Sequence, residues 1–321
     1  MLSLSNNYIR GPHTFASFGF GRILADHVIL GRSVRDLNND SVRKFTDTYT
    51  IIDDSSMDKF KILKSPVSTE SKSAPVAMEV SPSESITVSF RNELNKKNDK
   101  NDKPVIEISH QDCTKDHLHI DASPRHGKVV GDTWFGGVSF SACERYVAYV
   151  ACTETEGQDK SFFDTDSTSE GDKGKKFEFV SDWGEKYVGV GATSINIVDT
   201  YTGKIITVPE DEDATVGQPT FSTLEGSYKL AYTKWSTAHK DNKLGMIYCY
   251  QRPCSIYELD ISALLLSLET EEEKQVAKGL CLTTGLANAR SPRYCPDGSK
   301  IAFIGREQSL SSHNGCFQLF T

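Results

Sequence analysis

Nowhere is this 321-residue sequence apolar over the roughly 18 residues that a bilayer-crossing helix needs, which excludes a helical membrane span and a membrane partner. The opening residues, Met1 to His13, lack the basic segment and apolar core of an export signal. Positive charge is scarce, with 36 Lys and Arg against 44 Asp and Glu and a net charge of −8. Phosphate backbones are gripped by basic faces, so nucleic acid is not the expected partner. Eight cysteines are present, yet none forms a C-x-x-C pair and their spacing fits no zinc template. Several sit beside strand-like residues, as at Tyr248-Cys249 and Tyr294-Cys295, where a reduced cysteine acts as a small hydrophobe. The expectation is a reduced, cytoplasmic protein.

Chemistry-bearing patterns are equally thin. His110, His117, His119 and His126 fall close together, and His117 and His119 would share one face of a strand, but further ligands at short spacing are missing. Asp164, Asp166, Glu170 and Asp172 have the composition of a calcium loop, with Gly171 at its eighth position where the pattern needs glycine at the sixth. The acidic run Glu269 to Glu273 reads as the outer face of a helix. Glycines between Gly11 and Gly21 follow no strand and open no helix, so they form no phosphate loop. The nearest approach to a G-x-S-x-G elbow is Gly137-Val138-Ser139-Phe140-Ser141, with serine where the second glycine is required. No catalytic, cofactor-binding or metal-ligating residue is assigned, and no cofactor.

What the sequence does contain is a recurring turn followed by an alternating strand. The copies are Val80 to Phe90, Phe140 to Val150, Phe221 to Tyr232 and Tyr294 to Ile304. In the last, Pro296-Asp297-Gly298 suits a β-turn, because Pro presets φ and Gly accepts a positive one. A further strand follows each copy: Val105 to Ser109, Ile195 to Val208, Ser255 to Asp260 and Phe317 to Phe320. Within Ile195 to Val208, Asp199 to Lys204 closes a hairpin, with Gly203 free to take φ > 0.

The starts near residues 82, 141, 222 and 296 lie farther apart than the roughly 40 to 50 residues of a bare propeller blade, so insertions are expected. Candidates are Asn92 to Lys103, Thr153 to Lys176, and a helix within Ile261 to Lys278 that places Leu264, Leu265, Leu268 and Val276 on one side. The fold expected is all-β, an incomplete β-propeller of about four blades with long insertions, in residues 80–321. Residues 1–79 read as an N-terminal extension with first strands: loose to about residue 25, a short helix or turn over Arg35 to Phe45, a strand at Tyr49 to Asp53 paired with Phe60 to Leu63, and a loop over 65–75. Trp183 and Trp235 read as packing residues. The last repeat holds only about two strands, which suggests the front part of a longer polypeptide.

Several of these stretches resemble the N-terminal part of acylaminoacyl peptidases (acylamino-acid-releasing enzymes), serine peptidases of the prolyl oligopeptidase type. The carrying residues are His126-Gly127, Trp134 to Ser141, Ser161-Phe162-Phe163, Phe177 to Glu185, Ile197-Val198-Asp199 with Gly203, and Gly217-Gln218-Pro219. They continue with Leu244-Gly245, Tyr248-Cys249, Ser291-Pro292-Arg293, Pro296-Asp297 and Cys316 to Leu319. The resemblance implies a propeller that gates access to a following α/β-hydrolase domain, which releases N-acetylated residues from short blocked peptides. It implies as partners that hydrolase domain, short N-acylated peptides and a possible homo-oligomer. The hydrolase domain has no counterpart in these residues, so no family catalytic residue transfers. A free-standing propeller acting as an interaction scaffold is the alternative.

Overall fold

The computed structural model divides into two compact units, Met1–Ala74 and Pro75–Thr321. It describes residues 16–23, 27–36, 41–54, 59–65 and 69–71 of the first. Of the second it describes 75–94, 102–111, 117–153, 182–211, 214–236, 243, 245–246, 251–270, 278–307 and 316–321.

The first unit is an antiparallel sheet of β1 (Ala16–Ile23), β2 (His27–Asp36), β3 (Ser41–Asp54), β4 (Lys59–Lys64) and β5 (Thr69–Ser71). Strand β3 is long enough to pair with β4 through Tyr49 to Asp54 and with β5 through Lys44 to Thr46. Asp47 at its middle is fully buried and ion-paired with Arg32 at 2.8 Å and Lys64 at 3.2 Å. Where a helix or turn was expected over Arg35 to Phe45, the described residues are strand, and residues 37–40 lie outside them. Arg35 and Asp36 close β2, and Val42 pairs back onto Arg35. A continuous β2–β3 ladder, from His27 opposite Thr50 to Asp36 opposite Ser41, with β-branched Val28, Ile29, Val34 and Val42 along it, outweighs the local polar composition. Likewise Ala16 to Ile23, expected loose, is a strand on β2, and the loop expected over 65–75 contains β5.

The second unit begins with the antiparallel meander β6 (Ala77–Val80), β7 (Ile86–Leu94), β8 (Asp102–His110) and β9 (Leu118–Asp121). A second runs through β10 (Val138–Phe140), β11 (Tyr146–Cys152), β12 (Thr193–Asp199) and β13 (Ile205–Thr207). A third is β14 (Thr215–Phe221), β15 (Lys229–Trp235), β16 (Cys254–Asp260) and β17 (Leu280–Cys281). The fourth has three described strands, β18 (Asn288–Tyr294), β19 (Ile301–Arg306) and β20 (Gln318–Phe320). The last three meanders touch in series through single parallel bridges, Thr193 to Thr215 and Cys254 to Asn288.

Burial shows how these meanders stack. Strand β11 reads YVAYVAC and is buried over its first six residues, and β12 is buried throughout. Side chains alternate across a strand, so the two faces sort into two cores. Tyr146, Ala148, Ile195 and Ile197 pack with Val216, Leu230 and Tyr232 of the third meander. Val147, Tyr149, Ala151 and Val198 pack with Ile86, Val88, Phe90 and Ile108 of the first. A sheet that is apolar on both faces and flanked by a sheet on each side is a propeller blade. Each fully buried aliphatic side chain there contributes roughly 1.5–3 kcal/mol. The all-β propeller expectation holds, with four blades among the described residues of this unit.

One recurring turn falls in each blade. In the first, the Ser81 N–H donates to the Ile86 carbonyl and the Glu84 N–H to the Ser81 carbonyl, at 2.8 and 2.9 Å. Ser141, Glu144 and Tyr146 repeat both bonds, as do Cys295, Gly298 and Lys300. The residue at the fourth position takes positive φ each time: Glu84 at 62°, Glu144 at 59° and Gly298 at 66°. The third copy is longer, with Ser222 bonded to Lys229. Neighbouring turns interlock, since the Glu144 carboxylate accepts from the Ser83 N–H at 2.7 Å and Thr223 donates to the Cys295 carbonyl at 2.8 Å.

The insertions behave differently from one another. Helix α1 (Ser262–Thr270) lies between β16 and β17 and buries Leu264, Leu265 and Leu268 on the core that holds Tyr146, Ile195 and Leu230. Asp260 caps its start, accepting from the Ser262 N–H at 2.9 Å and from its hydroxyl. These bonds to Ser262 hold the Asp260 carboxyl below its ordinary pKa. Val276, most of the Thr153 to Lys176 segment, and residues 95–101 of the Asn92 to Lys103 segment lie outside the described residues.

Candidate ligand-facing site on the inner strands

The first strands of the blades carry a second repeated irregularity. The β14–β15 ladder slips between Gly217 and Thr220, and the β18–β19 ladder slips between Arg290 and Arg293. Each slip holds a residue of positive φ followed by proline: Gln218 at 52° before Pro219, and Ser291 at 58° before Pro292. Proline has no N–H for the ladder, so it sits where a bulge has already broken the pairing. A non-glycine residue at positive φ costs about 1 kcal/mol or more and persists only where its surroundings hold it.

The Gln218 side chain supplies that hold. Its Nε2 donates to the Trp134 carbonyl at 2.7 Å, while its Oε1 accepts from the Thr233 hydroxyl at 2.8 Å and the Ser291 N–H at 2.7 Å. Its own N–H donates to the Phe135 carbonyl at 3.1 Å. One buried amide therefore ties the approach to β10, the second strand of its own blade, and the bulge of β18. Beside it, a Cβ on Gly217 would stand 2.1 Å from the Phe135 carbonyl oxygen, so only glycine permits this approach.

Arg290 lies next to the β18 bulge. Its guanidinium carbon is 4.7 Å from the Trp134 ring centre and 4.9 Å from that of Phe317. Trp134 belongs to the second blade and Arg290 to the fourth, so they meet past the third blade, on the side of its inner strand. The buried Nε of Arg290 has no hydrogen-bond partner among the described residues. Its Nη1 donates to the Ser291 hydroxyl at 3.5 Å. Burial pushes its pKa down, slightly opposed by Cys254, and no carboxylate among the described residues offsets that cost. Arg145 is the counter-example: two of its nitrogens reach Asp199, at 3.0 and 2.8 Å, a third reaches Glu269 at 2.7 Å, and the Asp199 bonds drive its pKa up.

Beneath these residues lies an aromatic floor. Phe135 is 5.7 Å from Trp183, 5.0 Å from Tyr187 and 4.9 Å from Trp235, centre to centre. Trp183 and Trp235 are buried packing residues, as expected. The Trp183 indole N–H donates to the Thr215 hydroxyl at 3.2 Å. Asp182 fixes the turn after it, accepting from the N–H groups of Gly184 and Gly189 at 2.9 and 2.6 Å.

The four histidines are distributed among separate partners. His126 is buried, its Nδ1–H donating to the Gly127 carbonyl at 2.8 Å and its Nε2 accepting from the Tyr149 hydroxyl at 2.7 Å. Burial lowers its pKa, which keeps it neutral. His110 Nε2 donates to the Thr200 carbonyl at 3.0 Å, His117 Nδ1 bonds Ser109 at 2.8 Å, and His119 stands 3.8 Å from Glu107. No group of three His, Cys, Asp or Glu side chains among the described residues could hold a metal ion. Asp164, Asp166, Glu170 and Asp172 lie outside those residues. Ser139 of the failed elbow accepts from the Phe221 N–H at 3.0 Å and so ties β10 to β14. None of the six described cysteines is in a disulfide, and no described helix is long and apolar enough to cross a membrane.

Arg290 and Thr233 were not expected as site residues. The available signal was an arginine just before Ser291-Pro292, and in the structure it stands opposite Ile304 rather than an acid.

A family model described as "Acylamino-acid-releasing enzyme, N-terminal domain" matches residues 16–317. Acylamino-acid-releasing enzyme 1 of Oryza sativa subsp. japonica is 30% identical over 243 residues, covering 68% of this chain and 30% of that protein. The Mus musculus enzyme is 26% identical over 235 residues, covering 68% and 30%. The chain thus spans about a third of the length of the curated relatives it matches. Among solved structures, Pyrococcus horikoshii acylaminoacyl peptidase aligns with a TM-score of 0.47 at 10% identity, over 92% of this chain and 36% of that one. The β-propeller domain of the Trilobed protease from Pyrococcus furiosus aligns with a TM-score of 0.48 at 11% identity, over 96% and 68%.

Proposed function

We propose, from the premise that this chain belongs to the family of acylamino-acid-releasing enzyme N-terminal domains, that it is the substrate-gating propeller of such a peptidase. In this role it walls the approach to a hydrolase domain, admits short N-acylated peptides and excludes folded chains. The hydrolase would then release the N-acylated residue from the blocked end. A gate needs a wall of fixed width rather than a nucleophile, and excluding bulk water and large substrates is a physical role for such a wall. The observation that carries the proposal is the Gln218 clamp, which fixes the approach to β10, strand β14 and the bulge of β18 at set distances. Interlocked turns stiffen the same blades.

The test uses the protein from its source cells, captured with an antibody against residues 193–208. The precipitate is assayed for N-acetylalanine released from an N-acetylated tripeptide and from a folded N-acetylated protein. Release from the tripeptide alone is expected. Equal release from both would contradict the gate, and no release from either would favour a binding scaffold without catalysis.

A further inference from the structure

The Arg290 guanidinium lies against two aromatic rings and meets no carboxylate among the described residues. Its carbon is 4.7 Å from the ring centre of Trp134 and 4.9 Å from that of Phe317, and its Nη1 donates to the Ser291 hydroxyl at 3.5 Å. The buried Nε has no acceptor among the described residues. Two arginines of these blades meet acids, Arg145 holding Asp199 and Glu269 and Arg91 holding Glu107 at 3.0 Å, whereas Arg252 and Arg293 donate to backbone carbonyls and Arg306 to the Gln251 amide oxygen. A desolvated cation without a counter-charge is costly, and an acidic chain of net charge −8 had acids to spare for it. The planar fork of a guanidinium matches a carboxylate, bound by two parallel N–H···O bonds.

We infer that Arg290, held between Trp134 and Phe317, is a recognition site for the terminal carboxylate of a short peptide. The inference rests on the gating function proposed above, in which short blocked peptides pass the inner strands. Such a peptide has its N-terminus acylated and uncharged, so its C-terminal carboxylate is the one charge that every member of the class shares. A cation on the inner side reads that charge whatever the side chains. It also discriminates by length, because an internal segment of a long or folded chain has no terminal carboxylate to offer. The neighbouring Ser291 hydroxyl, 3.5 Å from Nη1, is placed to share one carboxylate oxygen.

The test is a titration of the full 321-residue chain with N-acetyl-trialanine as free acid and as C-terminal amide. Binding is followed by tryptophan fluorescence, which Trp134 reports, and by calorimetry. The free acid should bind about tenfold or more tightly than the amide. Arg290→Gln should erase that preference, and Arg290→Lys should keep the charge but lose most of the preference for want of the fork. Phe317→Leu should weaken the acid severalfold while the preference survives. Circular dichroism and the urea midpoint establish that each variant is folded, and Arg290→Lys decides the matter if Arg290→Gln is not.

Equal binding of acid and amide, or a preference untouched in both Arg290 variants, would overturn the inference. So would tight binding of an amide that carries an internal glutamate, since the site would then read acidic side chains rather than chain ends. Lost acid preference beside intact size discrimination in the native protein removes this inference alone. Lost size discrimination removes the gate and leaves the carboxylate measurement standing.

Discussion

The turn at Ser81 to Ile86 and the bulge at Gly217 to Thr220 both hold a non-glycine residue at positive φ, Glu84 at 62° and Gln218 at 52°. They are held in different ways. In the turn the fourth position is restrained through backbone hydrogen bonds that almost any residue there supplies, so it accommodates Glu84, Glu144 or Gly298 with the same bonding. The one side chain added, Ser81 or Ser141 Oγ at 3.1 Å from the Ile86 or Tyr146 nitrogen, belongs to the first position. In the bulge the restraint is the Gln218 amide, which meets three partners that no other side chain would reach in the same way. A conformation fixed by the backbone tolerates sequence change and can be repeated around a ring. One fixed by a side chain is particular to its place, and this one surrounds the candidate site.

The comparison breaks most visibly at the closest approach. Gly217→Ala should destabilise the chain by about 3 kcal/mol, because its Cβ would meet backbone rather than a yielding side chain. Urea unfolding measures this. Gln218→Ala should cost about 2 kcal/mol by the same measurement, since it strands the part-buried Trp134 carbonyl and leaves the Ser291 N–H only its longer bond to the Thr233 hydroxyl, at 3.2 Å. In the turns, Gly298→Ala should cost about 1 kcal/mol. Its Cβ would meet Leu224, a side chain able to move aside, and the remaining strain is that of positive φ. Glu144→Gly should fall within about 0.5 kcal/mol of the parent, the relief of positive φ offsetting the lost bonds to Ser83. If Gln218→Ala proves no costlier than Glu144→Gly, the distinction between the two irregularities fails.

The smallest effect expected is on pH dependence. Burial depresses the pKa of His126 below its ordinary value of 6.5. Below pH 6.5 the unfolded chain therefore takes up a proton that the folded one refuses, so stability falls as pH drops through that value toward the folded pKa. Urea midpoints at pH 7.5 and 5.5 should differ less in His126→Gln than in the parent.

The turns and their strands were legible because turn chemistry and alternation are local. Pro296-Asp297-Gly298 and the apolar run after it define a turn and strand without reference to the rest of the chain. The helix with Leu264, Leu265 and Leu268 on one side was legible for the same reason. The first unit was misread where pairing decides the outcome: nothing local in Arg35 to Phe45 reveals that Arg35 stands opposite Val42. The candidate site was half legible. Gly217-Gln218-Pro219, Ser291-Pro292-Arg293 and the Trp134 stretch were all singled out as carriers of the resemblance, although no periodicity marks them. That Gln218 joins Trp134 to Ser291, and that Arg290 lies between Trp134 and Phe317, depends on blades 2 and 4 meeting past blade 3, which only the closed packing brings about.

Amide hydrogen exchange at Ser291, compared with Glu84 and Glu144, tests the central claim most directly. The Ser291 N–H donates to the Gln218 side chain at 2.7 Å and, at 3.2 Å, to the Thr233 hydroxyl that Gln218 itself holds, while the turn amides donate to backbone carbonyls of their own turns. In Gln218→Ala the account predicts that Ser291 loses about tenfold or more of its protection and that Glu84 and Glu144 keep theirs. Unchanged protection at Ser291, or an equal loss at all three, would contradict the claim that one side chain holds the inner strands.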